Sequence, residues 1–329
     1  MRYYARKLGF YVVALWAALT LNFFIPRMMP GNPVDALLAK FQQRGGTVDP
    51  SARRAFELML GTNTDEPLWN QYYHYLGNLI RGDLGVSVSA FPSKVSDVIQ
   101  DSLTWTIMLV GIATLLSFLL GVALGALVGW RRGTWLDNLI PVTTLLSAVP
   151  YFWLALIFVL VFSTSLGWFP LNRGYDVSLD TGWNWPFISS AIYHGTLPAL
   201  TIIVSSVGGW LLGMRNMMVS TISEDYVLTA RAKGLRNSRI MTRYAARNAV
   251  LPSVAGFAIS LGFVVSGSIV TEQVFSYPGI GSKLLDAVQN NDYALMQGIF
   301  LVITIAVLAA NLIVDLLYGF IDPRTRVEN

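Results

Sequence analysis

The chain has 329 residues, of which 54% are hydrophobic and only 13% charged, and its mean hydropathy is +0.52. That balance excludes an ordinary soluble domain and places the chain in a bilayer. The net charge of +4 says little until it is resolved by membrane side, and the absence of cysteine removes disulfides, thiol nucleophiles and thiolate metal sites.

Six segments are long and apolar enough to cross about 30 Å of hydrocarbon: 8–25, 103–128, 139–166, 196–219, 254–274 and 296–318. The first follows Arg2, Arg6 and Lys7. No small-residue cleavage site comes after it, and Pro26, Arg27 and Pro30 follow instead, so it reads as an uncleaved signal anchor. The expected domains are 1–29 (cytoplasmic N-terminus and first span), 30–102 (external region), 103–320 (five-helix core) and 321–329 (cytoplasmic tail). In the external region Gly45-Gly46, Asp49-Pro50 and Gly61-Thr62-Asn63 signal turns. Helical pieces fill the intervals, the best at 67–80 with Leu68, Tyr72, Tyr75, Leu76 and Leu79 along one side.

In the second span Gly121, Gly125 and Gly129 form a double small-residue ridge for close helix packing. Pro141 and Pro150 interrupt the third span, and Pro198 lies near the start of the fourth, marking bending points. The loop 167–195 carries Trp168, Trp183 and Trp185, which suit either an interfacial aromatic belt or a docking rim.

The segment 223–252 is polar and arginine-rich, and its first third reads as a short helix complete at both ends. Ser223 is its expected cap, with Glu224 and Asp225 in the first turn, Arg231 and Lys233 in the last, and Gly234 as a left-handed stop. Tyr226, Ala230 and Gly234 recur every four residues, which predicts one docking face with two small side chains. Arg239, Arg243 and Arg247 then form a basic stripe, suited to the anionic inner leaflet or to an acidic partner.

The fifth span is rich in serine and glycine. On a continuous helix Ser260 and Ser268 share a side, with Gly256 and Gly267 close to it. Helix packing is one reading. A polar pathway with Ser260, Ser266, Ser268 and Phe263 as lining candidates is the other. Basic residues near span ends accumulate on the side of the N-terminus, which predicts that both termini are cytoplasmic.

Chemistry is sparse. His74 and His194 belong to no metal-binding pattern, Gly279-Ile-Gly281 lacks a third glycine, and no G-x-S-x-G or P-loop occurs. The chain is expected to have no catalytic, metal or cofactor site, and energy from ATP would have to come from another polypeptide. A secondary transporter would carry ionisable groups at mid-membrane, whereas Asp315, Arg215 and Glu272 fall near span ends.

Five motifs in order carry a resemblance over nearly the whole chain: LNFFIPRMMPGNP, GDLGVSVSAFPSKVSDVIQDSLTWT, EDYVLTARAKGL…RNAVLP, EQVFSYPGIGSKLLDAVQNNDYALMQG and DPRTR. The chain resembles the permease subunits of binding-protein-dependent ABC importers, oligopeptide/dipeptide branch. The resemblance implies an all-α membrane protein of the type I importer fold. It implies that Glu224, Asp225, Tyr226, Thr229, Ala230, Arg231, Ala232, Lys233, Gly234 and Leu235 form a coupling helix seated in an ATPase groove. Thr229, Ala230 and Arg231 take the places of the Glu-Ala-Ala that names the motif in other importers, and Gly234 is its glycine. The implied partners are a second homologous permease, two ABC ATPase subunits holding ATP and magnesium, an external solute-binding protein and membrane lipid, with no nucleic acid. A peptide is the implied solute, and the alternative is an oligosaccharide imported by the same machinery, since permeases of this branch also look like those serving oligosaccharides.

Overall fold

The computed structural model describes residues 2–43, 50–60 and 66–321. The turn signals Gly45-Gly46 and Gly61-Thr62-Asn63, together with the terminal DPRTR motif, lie outside them. The protein is all-α in these residues. Four helices are long and apolar enough to span a membrane, and the count rises to six when each of two bent pairs is taken as one span. The described residues form two compact units, those within 1–106, 265–269 and 278–329 in the first, and 107–264 and 270–277 in the second.

In the first unit the opening span α1 (Arg2–Arg27) packs along the final helix α14 (Tyr293–Ile321). Lys7 Nζ lies 3.1 Å from Asp315 and Tyr11 Oη donates to the same carboxylate at 2.8 Å, so the two helices share a charged clasp. Three helices follow α1: α2 (Pro33–Gln43), α3 (Pro50–Leu60) and α4 (Leu68–Ile80). The start of α2 is set locally, since Asn32 Oδ1 accepts from the Val34 amide beside a proline in the first turn. Helix α4 begins where its apolar periodicity predicts, and Tyr72 is its buried anchor, edge-on to Phe23.

Helix α5 (Val95–Trp130) supplies its first three turns to this unit. There Val95 and Ile99 join a core of Ile280, Leu284, Leu295, Met296 and Ile299. Helix α13 (Ile280–Gln289) enters that core on Ile280, Leu284 and Ala287, and its first amide donates to Thr106 Oγ1 at 2.7 Å. It ends on Asn291 at φ 51°, with the Asp292 amide bonded back to Ala287 and the Asn291 amide to Val288, a closed C-cap. Asp292 is fully buried. It caps α14 through the Leu295 amide and accepts from the Ser87 hydroxyl at 2.5 Å and the Ser89 amide and hydroxyl at 2.8 Å. Those four donors replace water around a charge that burial would otherwise disfavour.

In the second unit the remainder of α5 lies against α8 (Trp185–Thr221) along the expected glycine ridge. A Cβ on Gly121 would come within 2.5 Å of the Trp210 Cβ, one on Gly129 within 2.6 Å of the Met218 Cβ, and one on Gly125 would collide with the Leu211 carbonyl. The helices therefore meet backbone to backbone. Gly208 does the same for α6 (Trp135–Ala148), whose Thr143 carbonyl lies 2.5 Å from where its Cβ would stand.

The third span is not one rod. Helices α6 and α7 (Tyr151–Ser165) meet at 94°, because Val149 precedes Pro150 and is held extended at ψ 126°. Helix α8 starts at Trp185, eleven residues before the expected span, with Asn184 Oδ1 accepting from the Phe187 amide. Much of the predicted loop 167–195 is thus its first three turns. Pro198 sits inside α8 without ending it.

Candidate functional site

The segment after α8 folds into two helices, α9 (Asp225–Ala232) and α10 (Asn237–Ala249), held against the ends of α5 and α8. Ser223 does not cap α9. Its hydroxyl donates to the Ser220 carbonyl at 2.7 Å and closes α8, so Glu224, extended at ψ 144°, becomes the N-cap residue with no side-chain cap. At the other end the prediction of a glycine stop agrees with the backbone. Gly234 has φ 68°, its amide bonds to Arg231, and the Leu235 amide reaches Ala230. This pair of bonds satisfies the last carbonyls and turns the chain sharply into α10.

One face of α9 is consumed by the fold. Val227 and Ala230 are buried with Ile240 of α10, and Trp130, Leu235 and Tyr244 close the cluster. Ala230 is therefore not on an open docking face with Tyr226, which corrects the expectation drawn from the four-residue spacing. The reason is tertiary: Ala230 is 2% exposed in a cluster with Val227 and Ile240, against which Trp130, at the end of α5, packs. Arg231 lies 5.5 Å from the Trp130 ring and adds a cation–π contact on the rim.

What faces outward is Glu224, Asp225, Tyr226, Leu228, Thr229, Arg231, Ala232, Lys233 and Gly234, with Leu235 half-buried. Tyr226 is 39% and Leu228 49% exposed, an aromatic and an aliphatic on a helix otherwise edged by charge. Leu228 is the member that sequence reading passed over. Its signal was present, an apolar residue beside the buried Val227 that cannot share its face.

Helix α10 anchors the platform. Ala245 and Ala249 pack on Ala126, Met214 and Met218, and the middle of the helix, Ile240–Ala246, is wound as a π-helix. Arg239, Arg243 and Arg247 are all exposed, so the predicted basic stripe is present on its outer side. Helix α11 (Leu251–Val264) follows at 49°; Pro252 cannot donate to the turn before it, and the chain bends there.

The pathway candidates are placed differently from their prediction. Helix α11 stops at Val264, Gly267 has φ 70°, and a separate short helix α12 (Ile269–Val274) follows. Helical spacing therefore does not put Ser260 and Ser268 on one side, which corrects the expectation of a continuous stripe. Ser260 donates to the Phe257 carbonyl at 2.7 Å, Phe263 is exposed, and Ser266 and Ser268 are half-buried beyond the end of the helix. In this unit Glu272 is fully buried beside Tyr277, whose phenol is pushed up from its ordinary pKa by burial and by that carboxylate.

Residues 121–327 match the family described as binding-protein-dependent transport system inner membrane component. The chain is 34% identical, over 99% of each chain, to the di/tripeptide transport system permease protein DppB of Pseudomonas aeruginosa (strain UCBPP-PA14). It is 32% identical over 92% of each to the oligopeptide transport system permease protein AppB of Bacillus subtilis (strain 168). It is also 32% identical, over the whole length of both, to the glutathione transport system permease protein GsiC of Escherichia coli O6:H1.

Proposed function

From the premise that this chain belongs to the family of binding-protein-dependent transport system inner membrane components, we propose that it forms part of the transmembrane path for a peptide and couples that path to ATPases. It is a multi-pass component of the inner membrane. The peptide reading rests on the relatives, whose names specify oligopeptides, di- and tripeptides and glutathione.

The observation that carries the coupling reading is the construction of α9. A short helix is fixed to the protein through Val227 and Ala230 while Tyr226 and Leu228 remain uncovered on its outer side. Such a helix transmits a push because its inner face cannot slide. In this reading the side bearing α9 and both termini is cytoplasmic, which the distribution of basic residues supports. Two ATPases carrying ATP and magnesium receive the coupling helices of this chain and of a second, homologous permease, and an external binding protein delivers the solute. ATP binding draws the coupling helices together and opens the path outward; hydrolysis reverses it. The nucleotide thus biases a two-state element to which it is not itself bound.

Substitution of Leu228 by Glu tests this. The variant should insert and melt like the parent, because the side chain is half exposed, yet lose ATPase co-purification and solute-stimulated ATP hydrolysis. Parent-like stimulation in that variant would defeat the coupling assignment.

A further inference from the structure

At the C-terminal end of the first span, opposite Lys7, an arginine is held without an acid. Among the described residues no carboxylate lies within ion-pair distance of Arg27. Its guanidinium lies 3.7 Å over the ring of Phe23, which fixes its plane. Nη1 donates to the Phe23 carbonyl at 3.1 Å and Nε reaches Gln71 Oε1 only at 3.4 Å, while Nη2 meets no acceptor among the described residues.

Beside it is a cavity of about 40 Å³ lined by Arg27, Gln297, Tyr293 and the apolar side chains of Pro33, Leu60 and Val88. Gln297 brings a second donor: its Nε2 is buried and has no partner among the described residues. Tyr293 spends its own proton on the Gly31 carbonyl at 2.8 Å, which fixes the wall.

Arg27 and Gln297 thus both line one small cavity, and each carries an unspent donor group, the guanidinium permanently charged. A guanidinium presents N–H groups in a fork that matches the two oxygens of a carboxylate, and it has no acceptor of its own. The volume exceeds what one water needs, yet it admits a head of a few heavy atoms and not a whole peptide.

We propose that Arg27 and Gln297 form a binding site for a single carboxylate group at this end of the first span. The site stands on these contacts alone and does not depend on the transport reading. Its ligand is either a free small carboxylate or the carboxylate end of a peptide, since both present the same two oxygens.

The test uses the full chain in lipid nanodiscs at constant ionic strength. Three probes are titrated calorimetrically: acetate, N-acetyl-dialanine, and the C-terminal amide of the same dipeptide. Saturable binding of at least one acid is expected, with none of the amide. Binding of both acids identifies a site for any small carboxylate; binding of the dipeptide acid alone identifies a peptide end. Arg27→Gln should weaken the acid by about tenfold or more, as expected for losing a charge-assisted bond. Gln297→Met, which keeps the charge and nearly the volume, should weaken it by about three- to tenfold. Arg27→Lys, which retains charge and bulk, should fold and bind with intermediate affinity, separating loss of the site from loss of the fold. Equal binding of acid and amide would overturn the proposal. So would undiminished acid binding in a folded Arg27→Gln variant, or no saturable binding of either acid, which would leave the cavity to water.

Discussion

Ala230 and Leu228 are two positions apart on α9 and have opposite duties, and the difference is measurable. The Ala230 methyl sits in a closed cluster with Val227, Ile240 and Trp130. Ala230→Leu should therefore destabilise the segment by about 1–3 kcal/mol through overpacking, read as a lowered melting temperature and earlier proteolysis near α9. Leu228→Glu should not. Asp292 offers a second test at this scale. Replacing it by Ala strands the Ser87 and Ser89 donors, each at a cost of about 1–3 kcal/mol, and removes the cap of α14. Thermal unfolding of Asp292→Ala should be markedly earlier than that of Asp292→Asn, which keeps one of the two acceptor oxygens. At this scale the sequence was readable only where chemistry is local. Gly234 announced its left-handed turn. Ser223 misled, because Ser220, the other claimant for its hydroxyl, belongs to the preceding helix. Ala230 misled because the cluster that buries it draws on Ile240 and Trp130, which no spacing rule within α9 reaches.

Among the elements, glycine ridges were legible and breaks less so. The spacing of Gly121, Gly125 and Gly129 predicted close packing, and the structure supplies α8 as the partner, with backbone atoms where side chains would be. Gly125→Val should accordingly abolish folded protein in detergent extracts, whereas Gly213→Val, at a position with no heavy atom near its Cβ, should be tolerated. Of the prolines, Pro150 breaks its span at 94° while Pro198 is absorbed inside α8, and nothing in the residue type separates them. The early start of α8 had a signal in Asn184 followed by Pro186, an N-cap with a proline in the first turn. The end of α11 had none that stood out, since Gly267 is one of several glycines in a segment rich in serine and glycine throughout. That is why Ser260 and Ser268 were joined on a helix that does not extend to both.

For the whole molecule, composition was sufficient for class. Hydropathy marked six apolar segments, and the structure has four helices long enough to span a membrane, or six when each bent pair is one span. The clasp of Lys7 and Tyr11 on Asp315 ties the first span to the last. Asp315→Leu should remove the carboxylate that Lys7 and Tyr11 share and lower the yield of membrane-inserted protein, while Lys7→Met with Asp315→Leu should recover part of it.

The central claim is that the outer side of α9 is the surface an ATPase grips. The chain contains no cysteine, so single cysteines report without background. Cysteines at Tyr226, Leu228 and Ala230 are labelled with a maleimide in the permease alone and again after assembly with its ATPases. Fast labelling is expected at 226 and 228 in the isolated chain, with strong protection at both on assembly and little reaction at 230 in either state. Unchanged rates at 226 and 228 in the assembled complex would contradict the claim.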